Sequence, residues 1–319
     1  MAVSSASYRS HGGRAKVETR KAGGKRGGAL PCPGLGYSGA METSDPFLER
    51  VSAALTAVPG VVAVTLGGSR ATGAAHVASD YDVGLYFGER VGLDVRRLLE
   101  VVKGLVGDPA AAKVTEVGGW GPWIVGGGWL TIAGNKVDLL YRPIESVEKI
   151  IRDCRDGRIS MDYQPGHPHG FCSAIWMGEV ALCRPLSDSE GALARLKAMT
   201  APYPDKLREA LVRRFQWEIL FSIENAQTAI PKGDQTYIAG CAFRALACAA
   251  QVLFAVNRRY LINEKGAIAA AARLPLTVGD LTERARSAWQ AIGLRAFDAA
   301  LGELISIERE LAGLTESAR

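Results

Sequence analysis

No two of the six cysteines (Cys32, Cys154, Cys172, Cys183, Cys241 and Cys248) form a C-x-x-C pair, and the four histidines complete no zinc set. A zinc module built on such pairs is excluded, and six such cysteines fit a reducing cytoplasm. The chain has no stretch read as a membrane span, no apolar signal-peptide core near its start, and no internal repeat. Charge of one sign is also scarce once it is mapped. The net +5 sits in residues 1–40, where seven basic residues face Glu18 alone, which leaves about −1 for the remainder. That near-neutral remainder argues against a polynucleotide acceptor, which requires a basic track.

What is present is ordinary for a globular protein: 319 residues, 48% apolar and 22% charged. The length allows two domains with separate cores. Residues 1–42, rich in Gly, Ser and Lys/Arg, should form a disordered basic tail. Two readings of it stand: an upstream-extended start with Met41 as the natural first residue, and a basic nucleic-acid-binding arm.

Asp45-Pro46 opens a helix with apolar residues at three- and four-residue steps to Val58, stopped by Pro59-Gly60. Val61–Leu66 and Tyr81–Phe87 read as strands, Leu93–Leu105 as a helix, and Lys113–Val117 and Trp129–Ile132 as strands around a Gly/Trp-rich loop. Gly134-Asn135 is a turn before a last strand, Lys136–Tyr141. Glu145–Arg155 is helical, 164–170 is a loop, and helices are expected over 204–230, 234–257, 262–273, 279–291 and 296–314. The fold class is therefore α+β: a small mixed-sheet domain over 43–155 and an all-helical domain over 156–319.

The chemistry concentrates in Leu66-Gly67-Gly68-Ser69-Arg70-Ala71-Thr72-Gly73 and in Ser79-Asp80-Tyr81-Asp82. Two acids two residues apart on a strand share a face and repel unless a cation lies between them. Asp138, between apolar neighbours on a later strand, completes a three-carboxylate set if that strand lies beside the first pair. Three such acids could hold two Mg²⁺ ions. Asp80 and Asp82 would bridge them, and Asp138 would bind the ion that activates an acceptor hydroxyl or take that hydroxyl's proton. The competing structural reading pairs Asp138 with a neighbour such as Arg142. Gly67, Gly68 and Ser69 would cradle the β- and γ-phosphates of a nucleotide, with Arg70 a further phosphate contact.

Gly68-Ser69, a ten-residue gap, Asp80-x-Asp82 and the later Asp138 together resemble the nucleotidyltransferase superfamily of DNA polymerase β. The compact Gly-Gly-Ser-Arg-Ala-Thr-Gly form is similar to small bacterial nucleotidyltransferases, including the aminoglycoside and lincosamide enzymes. The resemblance spans roughly residues 60–142 and is looser over the helices downstream. It implies transfer of a nucleoside monophosphate, AMP being favoured, from an NTP to the hydroxyl of a small-molecule acceptor. Mg²⁺ is required and pyrophosphate is released. The alternatives are a regulatory or toxin–antitoxin-type enzyme modifying a protein or tRNA, and a non-catalytic nucleotide sensor. No membrane partner is expected, and a homodimer is compatible with the sequence.

Other residues carry weaker signals. Lys265, in an Asn-Glu-Lys turn, is a triphosphate contact or a helix-end cation. His167 and His169 either reach a substrate or stiffen their loop. Glu116, Glu179, Glu218 and Glu224 are candidate general bases. Trp120, Trp123 and Trp129 would wall a pocket or cap the sheet, while Tyr260, Trp176 and Trp217 have the spacing of core residues.

Overall fold

The computed structural model describes residues 45–73, 76 and 79–317, so the expected basic tail lies outside the described residues. Pro46–Thr56 forms helix α1; the Asp45 carboxylate accepts the amides of Phe47 and Leu48, and Pro46 supplies the preset first turn. Strand β1 (Val61–Leu66) follows, then a one-turn helix α2 (Gly68–Ala71) where a turn is expected, then β2 (Tyr81–Phe87) and α3 (Val95–Leu105), whose amide at Arg97 is capped by Asp94. Strands β3 (Gly127–Ile132) and β4 (Asn135–Pro143) form a hairpin, and α4 (Ile144–Arg155) leads out of it. Two short strands, β5 (Met161–Asp162) and β6 (Phe171–Cys172), pair with each other. Helix α5 (Ala174–Leu182) precedes β7 (Arg184–Ser187). The remainder is helical: α6 (Ala192–Met199), α7 (Asp205–Ala229), α8 (Gln235–Val256), α9 (Ala267–Ala271), α10 (Leu281–Gly293) and α11 (Phe297–Ser317).

The sheet runs β3-β4-β2-β1-β7; β2 and β4 are parallel and every other pair is antiparallel. The class is α+β as expected. The sheet takes its edge strand β7 from beyond residue 155; its four residues carry no alternating apolar pattern, because an edge strand of that length needs none. Lys113–Val117 is not a strand. It touches β3 through the Thr115 amide, which bonds the Gly127 carbonyl at 2.9 Å, and continues into turns instead of a ladder. The helix expected over 262–273 shrinks to α9, because residues 259–266 run irregularly until Gly266 turns the chain.

Alternation sorts the strands by face. Val83, Leu85 and Phe87 of β2 and Val137, Leu139 and Tyr141 of β4 pack with Val51 and Leu55 of α1 and Leu98 and Val102 of α3 into one core. The residues between them, Asp82, Gly84 and Tyr86 on β2 and Asp138, Leu140 and Arg142 on β4, take the other face. A second core links Ala63 and Tyr86 to α4, α5, α7, α8, α10 and α11. Contrary to the reading that no segment has the composition of a membrane span, α8 is long and apolar enough, with mean hydropathy 1.7, and 67% of that stretch is buried inside the protein. Trp176 is core as expected, whereas Trp217 is 53% exposed on α7.

Candidate active site

β1 ends at Leu66, and the chain turns over the first residues of β2. The Gly67 amide donates to the Asp82 carbonyl at 2.7 Å. Gly68 then adopts a left-handed φ of 59°, and a Cβ there would stand 1.8 Å from Asp82 Oδ2. Glycine is therefore required, and the group it makes room for is the Asp82 carboxylate. Asp82 lies level with Asp138 in the parallel β2–β4 register, which brings the two acids side by side on one face. Asp80 sits one residue ahead of β2.

These residues form one wall of a cavity of about 760 Å³. Gly67, Gly68, Ser69, Asp80, Asp82 and Asp138 all line it. Tyr260, Ile262, Asn263 and Lys265 from the irregular segment before α9 line it too, with His167 and Glu179. Among these, Lys265 brings a positive charge near enough to act on both Asp82 and Asp138. Arg70 is not among the lining residues. Its guanidinium stacks on Tyr81 at 3.8 Å and donates to the carbonyls of Ser79 and Asp80, so it braces the backbone that presents Asp80.

The acids are electrostatically strained together. Burial, then Asp138, Glu179 and Asp80, push the Asp82 carboxyl up to about 6, against the pull of Lys265. Asp138 is raised by burial and by Asp80, with Lys265 and Lys136 opposing. Asp138 is not paired with Arg142. That buried guanidinium instead grips Glu179 through both carboxylate oxygens, at 2.7 and 2.9 Å. Replacing Glu179 by Gln strands a buried cation, so thermal or denaturant unfolding is expected to show a loss of about 3 kcal/mol. Among the described residues no three His, Cys, Asp or Glu side chains stand together as a ready metal cage. The facing pair Asp82 and Asp138 still offers hard oxygen donors of the kind Mg²⁺ takes, seated where a Cβ at Gly68 would intrude.

Several other candidates lie elsewhere. Glu116 and Glu224 are exposed, and Glu218 pairs with Arg244. From the Gly/Trp-rich loop only Ile124 lines the cavity. Trp123 is buried and donates to Asp162 at 3.0 Å, while Trp120, in the turn over 117–120, stacks on Trp129 of the edge strand β3. The two loop histidines separate. His167 lines the cavity and contacts Glu264 at 3.1 Å, whereas His169 is buried away from it. Asn263 and Tyr260 are cavity residues that motif reasoning missed; the turn composition of Asn263-Glu264-Lys265-Gly266 is the one signal that pointed there.

Burial, Arg244 and Arg214 pull the His169 imidazole down to about 4, with Glu264 opposing. The unfolded chain then binds one more proton than the folded one between about pH 6.5 and 4. Stability is expected to fall through that window by up to about 3 kcal/mol as pH drops. A His169→Phe variant should flatten this part of the stability–pH curve, measured by urea unfolding at successive pH values.

A family model described as a domain of unknown function, DUF4037, matches residues 178–265, the span that carries both Glu179 and Lys265. No curated protein matches the chain. Among solved structures, a nucleotidyltransferase-like protein from Exiguobacterium sibiricum 255-15 aligns over 82% of this chain and 74% of its own, with a TM-score of 0.41 and 10% identity.

Proposed function

We propose that the chain is a nucleotidyltransferase that moves a nucleoside monophosphate, AMP being favoured, from an NTP to the hydroxyl of a small molecule. One observation carries the reading: the in-register pair Asp82 and Asp138 lies beneath the Gly67–Ser69 loop in the wall of a cavity large enough for a nucleotide. The amides of Gly68 and Ser69 and the Ser69 hydroxyl receive the β- and γ-phosphates, and Lys265, which lines the same cavity, offsets their charge. Asp82 and Asp138, with Asp80 on the same cavity wall, would hold Mg²⁺, which when bound neutralises charge on the triphosphate and favours the ionised acceptor oxygen.

The acceptor oxygen attacks the α-phosphorus, a new P–O bond forms, the bond to the bridging oxygen breaks, and pyrophosphate leaves. Both oxygens of Glu179 are engaged by Arg142, so the acceptor proton is assigned to one of the other cavity carboxylates, Asp138. The near-neutral charge of residues 41–319 favours a small acceptor over a polynucleotide. The test is a panel of NTPs and hydroxylated small molecules incubated with protein and Mg²⁺, read by mass spectrometry for an added nucleotide mass. Adducts formed on tRNA or on protein, and not on small molecules, would overturn the choice of acceptor.

A further inference from the structure

Helix α7 buries one face and leaves another bare. Leu211, Phe215, Ile219 and Ile223 carry the face turned to the core. On the opposite side of the helix, Arg213, Trp217, Leu220 and Glu224 recur at steps of four, three and four residues, with Phe221 beside Trp217. All five are exposed, Trp217 at 53%, Leu220 at 39% and Phe221 at 51%. The Trp217 and Phe221 rings lie 5.4 Å apart, so their apolar surface is continuous. Single exposed apolar residues need no explanation. Three side by side on one helix, with a charge at each end, mark a surface for another molecule.

The two charges say which molecule. The ion pairs that α7 makes use Asp205, Arg208, Glu209 and Glu218. The side chains of Arg213 and Glu224 have no partner among the described residues. They are opposite in sign and equally far from the midpoint of the stripe. A two-fold axis across the helix at that midpoint, between Glu218 and Ile219, lays a second α7 antiparallel on the first. Trp217 of each copy then meets Leu220 of the other, and Arg213 of each meets Glu224 of the other. One arrangement therefore covers the apolar patch and pairs every charge. A parallel arrangement would set like charge on like. The alternating spacing of four and three is that of helices packed nearly side by side.

We propose that the outer face of α7 is the contact of a homodimer, with α7 packed antiparallel on α7 of a second copy through Trp217 and Leu220 and closed at both ends by Arg213–Glu224 pairs. The seam from Arg213 to Glu224 is only about 17 Å long, short for a standard interface, so association is expected in the micromolar range. Sedimentation equilibrium of the full chain from about 1 to 300 µM should show a monomer–dimer equilibrium. Trp217→Ala should weaken it at least about thirtyfold, because the anchor is lost from both copies. Arg213→Glu and Glu224→Arg, each alone, should weaken it about tenfold by setting like charges together. Mixing these two single variants, or placing both reversals in one chain, should restore the dissociation constant to within about threefold of the wild type. Both positions are exposed and unpaired, so the reversals leave the fold intact. A chain that stays monomeric to about 300 µM would overturn the proposal and leave the face to a different protein. A dimer insensitive to Trp217→Ala, or charge reversals that neither mixing nor combination rescues, would overturn it too. The measurement uses no nucleotide, so its outcome stands apart from that of the proposed transfer.

Discussion

Replacing Asp82 by Asn is expected to lower nucleotide turnover at least about a hundredfold while leaving the melting temperature unchanged or raising it. The two effects have one cause. Asp82 is half-buried beside Asp138, with Asp80 and Glu179 near it, and its carboxyl is pushed up to about 6 by burial and by those neighbours. Asn has nearly the same shape and keeps the main-chain carbonyl that accepts the Gly67 amide, so the loop over the strand stays anchored. The lost negative charge is the one that would hold Mg²⁺ and set the triphosphate in place. The same loss relieves repulsion in the folded state. A residue kept for structure would do the reverse and cost stability on removal. Melting curves alongside pyrophosphate release distinguish the two cases; a fall in melting temperature with turnover preserved would remove Asp82 from the site.

The second large effect is expected at Gly68. An Ala there places its Cβ 1.8 Å from Asp82 Oδ2 and must also hold a left-handed φ of 59°. The backbone term alone costs about 1 kcal/mol. The contact cannot be relieved without moving either the carboxylate or the loop, so turnover should fall as far as it does in the Asp82 variant, with a loss of stability added. Gly67→Ala is the matched control for stability. Its Cβ would meet only the Asp82 carbonyl oxygen at 3.6 Å and the Asp82 Cβ at 3.7 Å, both ordinary contacts. Urea unfolding of the two variants should separate them clearly; equal stability would mean that the Gly68 contact is not tight.

Much of this site is written locally in the chain. The strands carrying Asp82 and Asp138 announce themselves as apolar runs, and period-two alternation assigns each acid a face. Their adjacency is a matter of topology: β4 reaches β2 only because β3 and the crossover through α3 bring it back in parallel, and no local pattern encodes that order. Gly68 is legible as part of a glycine turn, but the sequence does not show that a Cβ there would meet the Asp82 carboxylate, a contact set by how the turn folds over β2. Arg70 and the three tryptophans show the opposite limit. A cation or aromatic beside a motif can turn either way, and here Arg70 turns to Tyr81 and Trp123 to Asp162. The cavity residues just before α9 were the least legible part, because residues 259–266 have no regular structure and their positions depend on packing against α5 and α8.

The most direct test of the central claim, that the carboxylate face beneath the Gly67–Ser69 loop carries out nucleotidyl transfer, is one quantitative mass-spectrometric assay. Wild-type protein and the Asp82→Asn variant are incubated with ATP, Mg²⁺ and the acceptor panel. The wild type should yield an acceptor carrying one added AMP with an equal amount of pyrophosphate, and the variant neither. Adduct formed at equal rates by both proteins would contradict the account, as would a wild type that consumes ATP without transferring AMP to any acceptor.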